Sequence, residues 1–595
     1  MVTIPSPVPD VDVAIVGAGP VGLALAALLD RAGVTNCVFE RRDHLHRQPQ
    51  AHVINTRTME ILREIGIARA VVEAAAPPLR MRAITWCESL AGRELGRIRL
   101  EGGDSGALVQ RLAASPTSIC NLAQNRLEPL LLARVRHGAR SQVRFGSDVA
   151  SVEDRDDHVV LAVRGTDGTP SRTSARWVAA CDGAGSRIRR NAGIEMAGPA
   201  SLQKFVSIYF EADLDRWIGE RSGPLFWIAG ARTRGVIIGF DLVRTWALMV
   251  SYDDAHSPDE FSTEVAERLV ADAIGDPKAS FSITSIGNWN MSAQVAECYR
   301  SGRIFLVGDA AHRFPPTGGL GMNTGIQDAH NLAWKLAAVV RGTADAALLD
   351  TYELERRGVA QVNCEQSLRN AMRLVEIDIV LGVPTLMAVD PGAIARDEAV
   401  RVDYGMDGDS EAAVTKRRAV QQVIEAQAEH FDFGGLDLGL RYEAGAVVGD
   451  GTEPPPFDVQ TYTPAARPGS RLPHVWVEGA AGRVSTLDVA TPGRFTLITG
   501  DHGDAWVAAA RALVHEARLD LDVAVIGGAD ADYLDSSGAW ADVSGIDTSG
   551  AVLVRPDGHV AWRSATQPPG DDCGFALDEL RRVFHHLLGR GHAAT

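Results

Sequence analysis

Cysteine is scarce in this sequence, and its placement excludes more than its number does. Cys37, Cys87, Cys120, Cys181, Cys298, Cys364 and Cys573 lie far apart with no C-x-x-C pair. Neither a disulfide framework nor a metal centre is expected, and these residues read as small buried hydrophobes in a reduced compartment. Excess positive charge is also missing: 59 Lys and Arg stand against 76 Asp and Glu, a net charge of −17. Nucleic acid, which is bound through basic faces that displace counterions, is not an expected partner; a small molecule is. No apolar run reaches the roughly 20 residues that span a bilayer, and Met1–Asp10 lacks the basic-then-apolar order of a secretory signal. The expected address is the cytoplasm, with no membrane partner. No short repeat and no second G-x-G-x-x-G is visible.

What is present is an ordinary globular composition, 46% apolar and 23% charged, over 595 residues, enough for two or three packed units. Val11–Val16 reads as a strand, Val21–Arg31 as a helix and Cys37–Glu40 as a second strand, with a Gly-rich turn after the first. Trp177–Cys181 and Arg303–Val307 are further short apolar strands that run into Gly/Asp turns, so three such junctions are expected to meet at one ligand. Phe205–Ala212, Leu225–Ala229 and Val236–Tyr252 carry the Val, Ile, Phe and Trp of an antiparallel sheet. Helices are expected over Asn323–Val340 and Leu348–Arg369. Prolines 454, 455, 456, 464, 468 and 473 mark a crossing into a last unit of βαβ…ββα order, which suits a thioredoxin-like fold.

The expected class is therefore α/β, with a Rossmann-type dinucleotide-binding domain, an inserted antiparallel β-sheet substrate domain and a C-terminal thioredoxin-like domain. The boundaries are 1–190, with 80–115 contributing to the substrate sheet, then 191–290, 291–400, a helical and Pro-rich connection 401–465, and 466–595. Within the fingerprint, Gly17 permits the tight turn, Gly19 the close approach of a pyrophosphate and Gly22 the helix packing. The helix N-terminus stabilises phosphate charge. Glu40, at the end of the second strand, is placed to accept ribose hydroxyls and to disfavour a 2′-phosphate. These residues predict an adenine dinucleotide without deciding between FAD and NAD.

Two later motifs, Cys181-Asp182-Gly183-Ala184-Gly185-Ser186-Arg187-Ile188-Arg189 and Gly308-Asp309-Ala310-Ala311-His312, resemble those of the FAD-dependent aromatic hydroxylases. Pro315-Pro316-Thr317-Gly318-Gly319-Leu320-Gly321-Met322-Asn323, with Gln327-Asp328 and Trp334-Lys335 after it, is similar to the phenol-hydroxylase branch. The resemblance implies FAD as cofactor, NADPH or NADH as transient electron donor, dioxygen as co-substrate, and hydroxylation of a phenolic ring through a flavin hydroperoxide. It implies that Asp309 accepts a ribityl hydroxyl, that Gly321 and Met322 line the isoalloxazine at the start of the Asn323 helix, and that Arg41, Pro316 and Gly319 join the cofactor contacts. It further implies that Gln124 approaches FAD, and that Asp182 and Gly183 lie between the pyrophosphate and the nicotinamide donor, with Arg187 and Arg189 as a basic pair; Glu128, on the helix of Gln124, reads as a surface residue.

The segment Pro49 to Arg63 also resembles this branch, except that Gln50 replaces a basic residue. The resemblance places His52 beside the substrate hydroxyl, where an imidazole can act as a base, and Trp227 and Pro316 against the substrate. Gly550–Arg563 resembles the end domain of phenol hydroxylases; lacking C-x-x-C, it is expected to be redox-inert and to serve packing or subunit contact in a homodimer. Two other readings stand: a tailoring hydroxylase of a larger aromatic polyketide or antibiotic, and a non-catalytic flavin-binding protein. A flavin halogenase is disfavoured because Trp289-Asn290-Met291 is not W-x-W-x-I-P.

Overall fold

A computed structural model gives the fold and describes residues 9–100, 110, 112–383, 388–396, 402–517, 519–566 and 573–590. Most of the segment sought as a signal, and residues 101–109 of the 80–115 span, lie outside the described residues.

The mixed α/β architecture rests on three sheets. In the first, the parallel strands run in the spatial order Ile304–Leu306, Pro170–Ala180, Val11–Val16, Asn36–Phe39, Ser141–Arg144. Val13 to Val16 are all buried, as a parallel strand covered on both faces requires, and so they form a continuous apolar run instead of an alternating one. Register then does the positioning. Val16 pairs with Ala180 and Phe39, and Ala180 pairs with Leu306, so the turns that follow these strands emerge side by side at one edge. That edge is where open α/β sheets bind ligands.

The second sheet is the inserted one. Its order is Phe281–Met291, Gln203–Ala212, Thr245–Tyr252, Arg234–Gly239, Leu225–Ala229, Ala83–Cys87, Glu94–Arg99. The stretch read as Val236–Tyr252 is a hairpin. Asp241 breaks it by accepting the backbone N–H groups of Val243, Arg244 and Thr245 at 3.0, 2.9 and 2.9 Å. Alternation sorts the faces: Val206, Ile208 and Phe210 pack on the helix Thr263–Ile274, while Ser207 and Tyr209 between them face a cavity.

The third sheet, in which Leu521–Gly527, Phe495–Thr499, Ala551–Val554 and the edge strand Val560–Ser564 are neighbours in that order, carries the helices Asp504–Ala517 and Cys573–Leu587 and is the thioredoxin-like unit. Its packing side merges with the first core, with Phe495 set edge-on to Trp334 at 5.8 Å. Two helix boundaries differ from expectation. The helix expected from Asn323 begins at Leu320, capped by Gly319 in the left-handed region. The helix expected over Leu348–Arg369 is a 3-10 turn at Ala346–Asp350 followed by Thr351–Leu381, which ends only where Gly382 supplies a left-handed cap.

Buried charge ties these units together. Glu355 accepts from Arg555 at 2.8 and 2.9 Å, Lys335 at 2.7 Å, Asn331 at 2.6 Å and the Ala446 N–H at 2.8 Å. Burial alone would raise this carboxyl, but Arg555 and Lys335 outweigh it and hold it at about 2. Glu60 is held similarly: burial opposes its ionisation, and Arg471 and Arg57 overcome that to bring it to about 2. Removing one partner of such a group leaves uncompensated buried charge, which costs about 3–5 kcal/mol. Glu355→Ala is therefore expected to lower the unfolding free energy from denaturant titration by that amount, whereas Glu73→Ala, which breaks an exposed i,i+4 pair with Arg69, leaves it in place. Because both folded-state values lie below the ordinary carboxylate value of 4.5, their stabilisation is full above about pH 4.5 and drains away as pH falls toward about 2. A stability profile flat across that window would refute the assignment.

Candidate active site

The sheet edge and the inner face of the inserted sheet enclose one cavity of about 1610 Å³. A single small-molecule pocket is roughly 300–1,000 Å³, so there is room here for two ligands. At the sheet-edge end, Gly17 has φ +110°, and a Cβ there would lie 2.3 Å from the Cys181 carbonyl oxygen. A Cβ on Gly19 would meet nothing within 4 Å. The first glycine is thus required by the turn and the second leaves free space beside it. Glu40 braces the loop, accepting from Ala18 N–H at 2.9 Å and Arg42 N–H at 3.0 Å.

Asp182 accepts the Arg187 N–H at 2.9 Å with one oxygen, while the other is buried with no partner. Asp309 opens onto the cavity and has no hydrogen-bond partner among the described residues. Its carboxyl is raised, chiefly by the surrounding protein that excludes water, against the pull of His312 and Arg313. Arg41, Gln124, Pro316, Gly319, Gly321 and Met322 line the same cavity. An open position beside the fingerprint turn and two carboxylates with unsatisfied oxygens are what a dinucleotide with hydroxyl donors needs, so the residues fit FAD.

Several expected residues stand elsewhere. Asn323 does not line the cavity, and neither does Gly22, which was expected in helix packing. A Cβ on Gly22 would lie 2.1 Å from the Gly17 carbonyl oxygen, so its place is in helix packing. The Asn323 side chain accepts the Asn55 N–H at 3.0 Å and donates to the carbonyls of Val53 at 2.9 Å and Gly319 at 2.7 Å. It is spent joining two loops. Glu128, expected at the surface, is buried and accepts from Gln124 at 2.8 Å. Arg189 is buried against the Ala310 carbonyl at 3.2 Å, while Arg187 pairs with Asp148 at 3.2 Å.

At the far end the cavity is aromatic. His52 meets the edge of Phe240 at 5.7 Å, and Tyr209 stacks on Phe240 at 6.4 Å. Trp227 lies parallel to Trp86 at 6.2 Å, and Phe431 closes on Trp86 from the connecting segment. His52 Nδ1 is 2.5 Å from Asn121 Oδ1. Burial lowers the imidazole pKa below its usual 6.5, against the opposing effect of that hydrogen bond. Asn121, Tyr209, Phe240 and Phe431 were not legible as site residues. For Tyr209 the only sequence signal is its alternation with Val206, Ile208 and Phe210.

Residues 10–367 match the FAD binding domain family, and residues 465–591 match the family of aromatic-ring hydroxylase C-terminal domains. The chain belongs to the FAD-dependent aromatic-ring hydroxylases. It is 37% identical to the 2,4-dichlorophenol 6-monooxygenase of Cupriavidus pinatubonensis, over 98% of both chains. Its fold is similar to that of the flavin-dependent monooxygenase PieE in complex with FAD and substrate, with a TM-score of 0.89, 35% identity, and 98% and 100% of the two chains covered. It is also similar to aklavinone-11 hydroxylase with FAD and aklavinone, with a TM-score of 0.80, 31% identity, and 98% and 100% covered. This hydroxylase is thus a flavin-dependent monooxygenase that uses FAD, NAD(P)H and dioxygen on a small aromatic substrate. Among its described residues no helix is long and apolar enough to cross a membrane.

A free carboxylate that gains a hydroxyl donor is worth about 1.5–3 kcal/mol. Asp309→Ala in this hydroxylase is accordingly expected to weaken FAD binding about 10- to 150-fold. Flavin titration of the apoprotein reads this directly, and an unchanged dissociation constant would remove Asp309 from the cofactor site.

Proposed function

We propose that His52 is the base of a phenol hydroxylase, taking the ring hydroxyl's proton onto Nε2 so that the electron-rich phenolate is what becomes oxygenated. The observation that carries this is a half-buried imidazole with one nitrogen hydrogen-bonded to Asn121 and the ring lining the aromatic end of the cavity. Bound FAD supplies the reduction by NAD(P)H and the activation of dioxygen. Gly17, Gly19, Glu40, Arg41, Gln124, Asp182 and Asp309 hold it, with Pro316, Gly319, Gly321 and Met322 along its ring. The N–H groups of the first turn of Leu320–Val340 favour negative charge there. Trp227, Tyr209 and Phe240 hold the substrate ring and exclude water.

A phenol of pKa near 10 is about one-thousandth ionised at pH 7, so a base that reaches phenolate offsets up to about 4 kcal/mol. A second reading, a larger polycyclic phenol, draws support from the apolar outer wall formed by Val72, Pro78, Leu112 and Ile119 and from the likeness to aklavinone-11 hydroxylase. Product screening with mono- and polycyclic phenols separates the two. A cytoplasmic homodimer belongs to the same proposal. Leu354, Met372 and Ile379 fall on one face of Thr351–Leu381 and are exposed, and sedimentation tests that assembly.

His52→Ala is expected to retain FAD, hydroxylate poorly and release hydrogen peroxide. Since burial lowers the His52 pKa, the neutral base persists below pH 6.5, so the acid limb of wild-type kcat/KM should lie under that value. Product and peroxide per NAD(P)H, measured at matched FAD content across pH 5 to 10, check both. Normal coupling in His52→Ala would end this reading.

A further inference from the structure

We propose that Asn121 is a positioning residue that fixes the tautomer of His52, holding the hydrogen on Nδ1 and presenting a bare Nε2 to the substrate hydroxyl; this rests on His52 being the base. Asn121 is 2% exposed and sits opposite Val53 in the short antiparallel pairing of Val53–Ile54 with Cys120–Asn121. Its amide nitrogen donates to the carbonyls of Phe240 at 2.8 Å and Gly239 at 3.3 Å. Carbonyls only accept, so turning the amide over would set oxygen against oxygen. The amide oxygen is thereby committed to His52 Nδ1 at 2.5 Å.

That oxygen also only accepts, which requires a hydrogen on Nδ1, and in a neutral imidazole the other nitrogen is then a bare lone pair. Nε2 has no protein partner among the described residues, and the ring lines the cavity. The backbone on either side is fixed as well, with Leu122 N–H donating to the His52 carbonyl at 2.8 Å and Gln124 N–H to the Ala51 carbonyl at 2.7 Å. In the proton transfer, the substrate O–H bond breaks, its electron pair stays on oxygen, and the proton forms an N–H bond at Nε2. The Nδ1–H bond to Asn121 is kept throughout, so the imidazolium stays where it formed and can donate to the phenolate oxygen. An amide supplies this orientation without adding a charge; a carboxylate at the same place would supply it too, with a more basic imidazole.

The test uses FAD-loaded wild type, Asn121→Leu and Asn121→Asp. In ¹⁵N-histidine-labelled protein, with the His52 signals identified by their loss in His52→Ala, wild type is expected to show the Nδ1–H tautomer. Asn121→Leu is expected to show a mixture, and Asn121→Asp to keep Nδ1–H. With 4-nitrophenol bound and no NAD(P)H present, the bound phenolate fraction should fall at least about 10-fold in Asn121→Leu and return in Asn121→Asp, with product per NAD(P)H following the same order. An Nε2–H tautomer in the wild type overturns the proposal without any variant having to fold. So does an Asn121→Leu enzyme with unchanged tautomer, phenolate fraction and coupling, provided His52→Ala has lost them. If His52→Ala itself keeps bound phenolate and coupling, it is the base reading that fails.

Discussion

The structure depends on the register of a few parallel strands. Val16, Ala180, Leu306 and Phe39 end level with one another, so four turns spread along the sequence from Val16 to Leu306 open onto one edge. The pairing is held by backbone hydrogen bonds and by apolar side chains buried on both faces, neither of which responds to a ligand. Gly17, Glu40, Asp182 and Asp309 can therefore be fixed before any cofactor arrives. The inserted sheet adds a second wall, because its pleat sends Val206, Ile208 and Phe210 to a helix and Ser207 and Tyr209 to the cavity.

Behind that wall, the helix Thr56–Ile65 links His52 to the C-terminal unit. Arg57 donates to the Asp557 carbonyl at 2.7 Å, and Glu60 is paired with Arg471 of the last unit. Asp437, in the connection 401–465, accepts the Thr56 and Arg57 N–H groups at 2.8 and 3.1 Å at the start of the same helix. The unit that lacks a dithiol motif thus acts on the site through structure. It anchors the element that immediately follows the proposed base.

Much of the frame was legible because its signals are local. Val11–Val16 and Leu225–Ala229 are strands with the bounds their apolar runs suggested, and the glycine fingerprint states its own turn. What was illegible is set by tertiary partners. Asn121 is an ordinary polar residue until Phe240 and His52 are brought to it from 119 and 69 residues away. Asn323 sits in a motif that suggested a cofactor contact, yet its three hydrogen bonds are with protein. Glu128 looked solvated because a lone Glu on a helix usually is, and only the fold shows it buried beside Gln124.

The Glu355 cluster also bears on how such a chain can be divided. The two domain families match residues 10–367 and 465–591, and sequence inheritance draws the border between them. The carboxylate that five donors satisfy stands on one side of it, and Arg555 stands on the other. Neither part can be exchanged for a foreign counterpart unless Lys335, Glu355 and Arg555 change in concert. For this protein the unit of recombination and the unit of cooperative unfolding are different objects, and the second is larger.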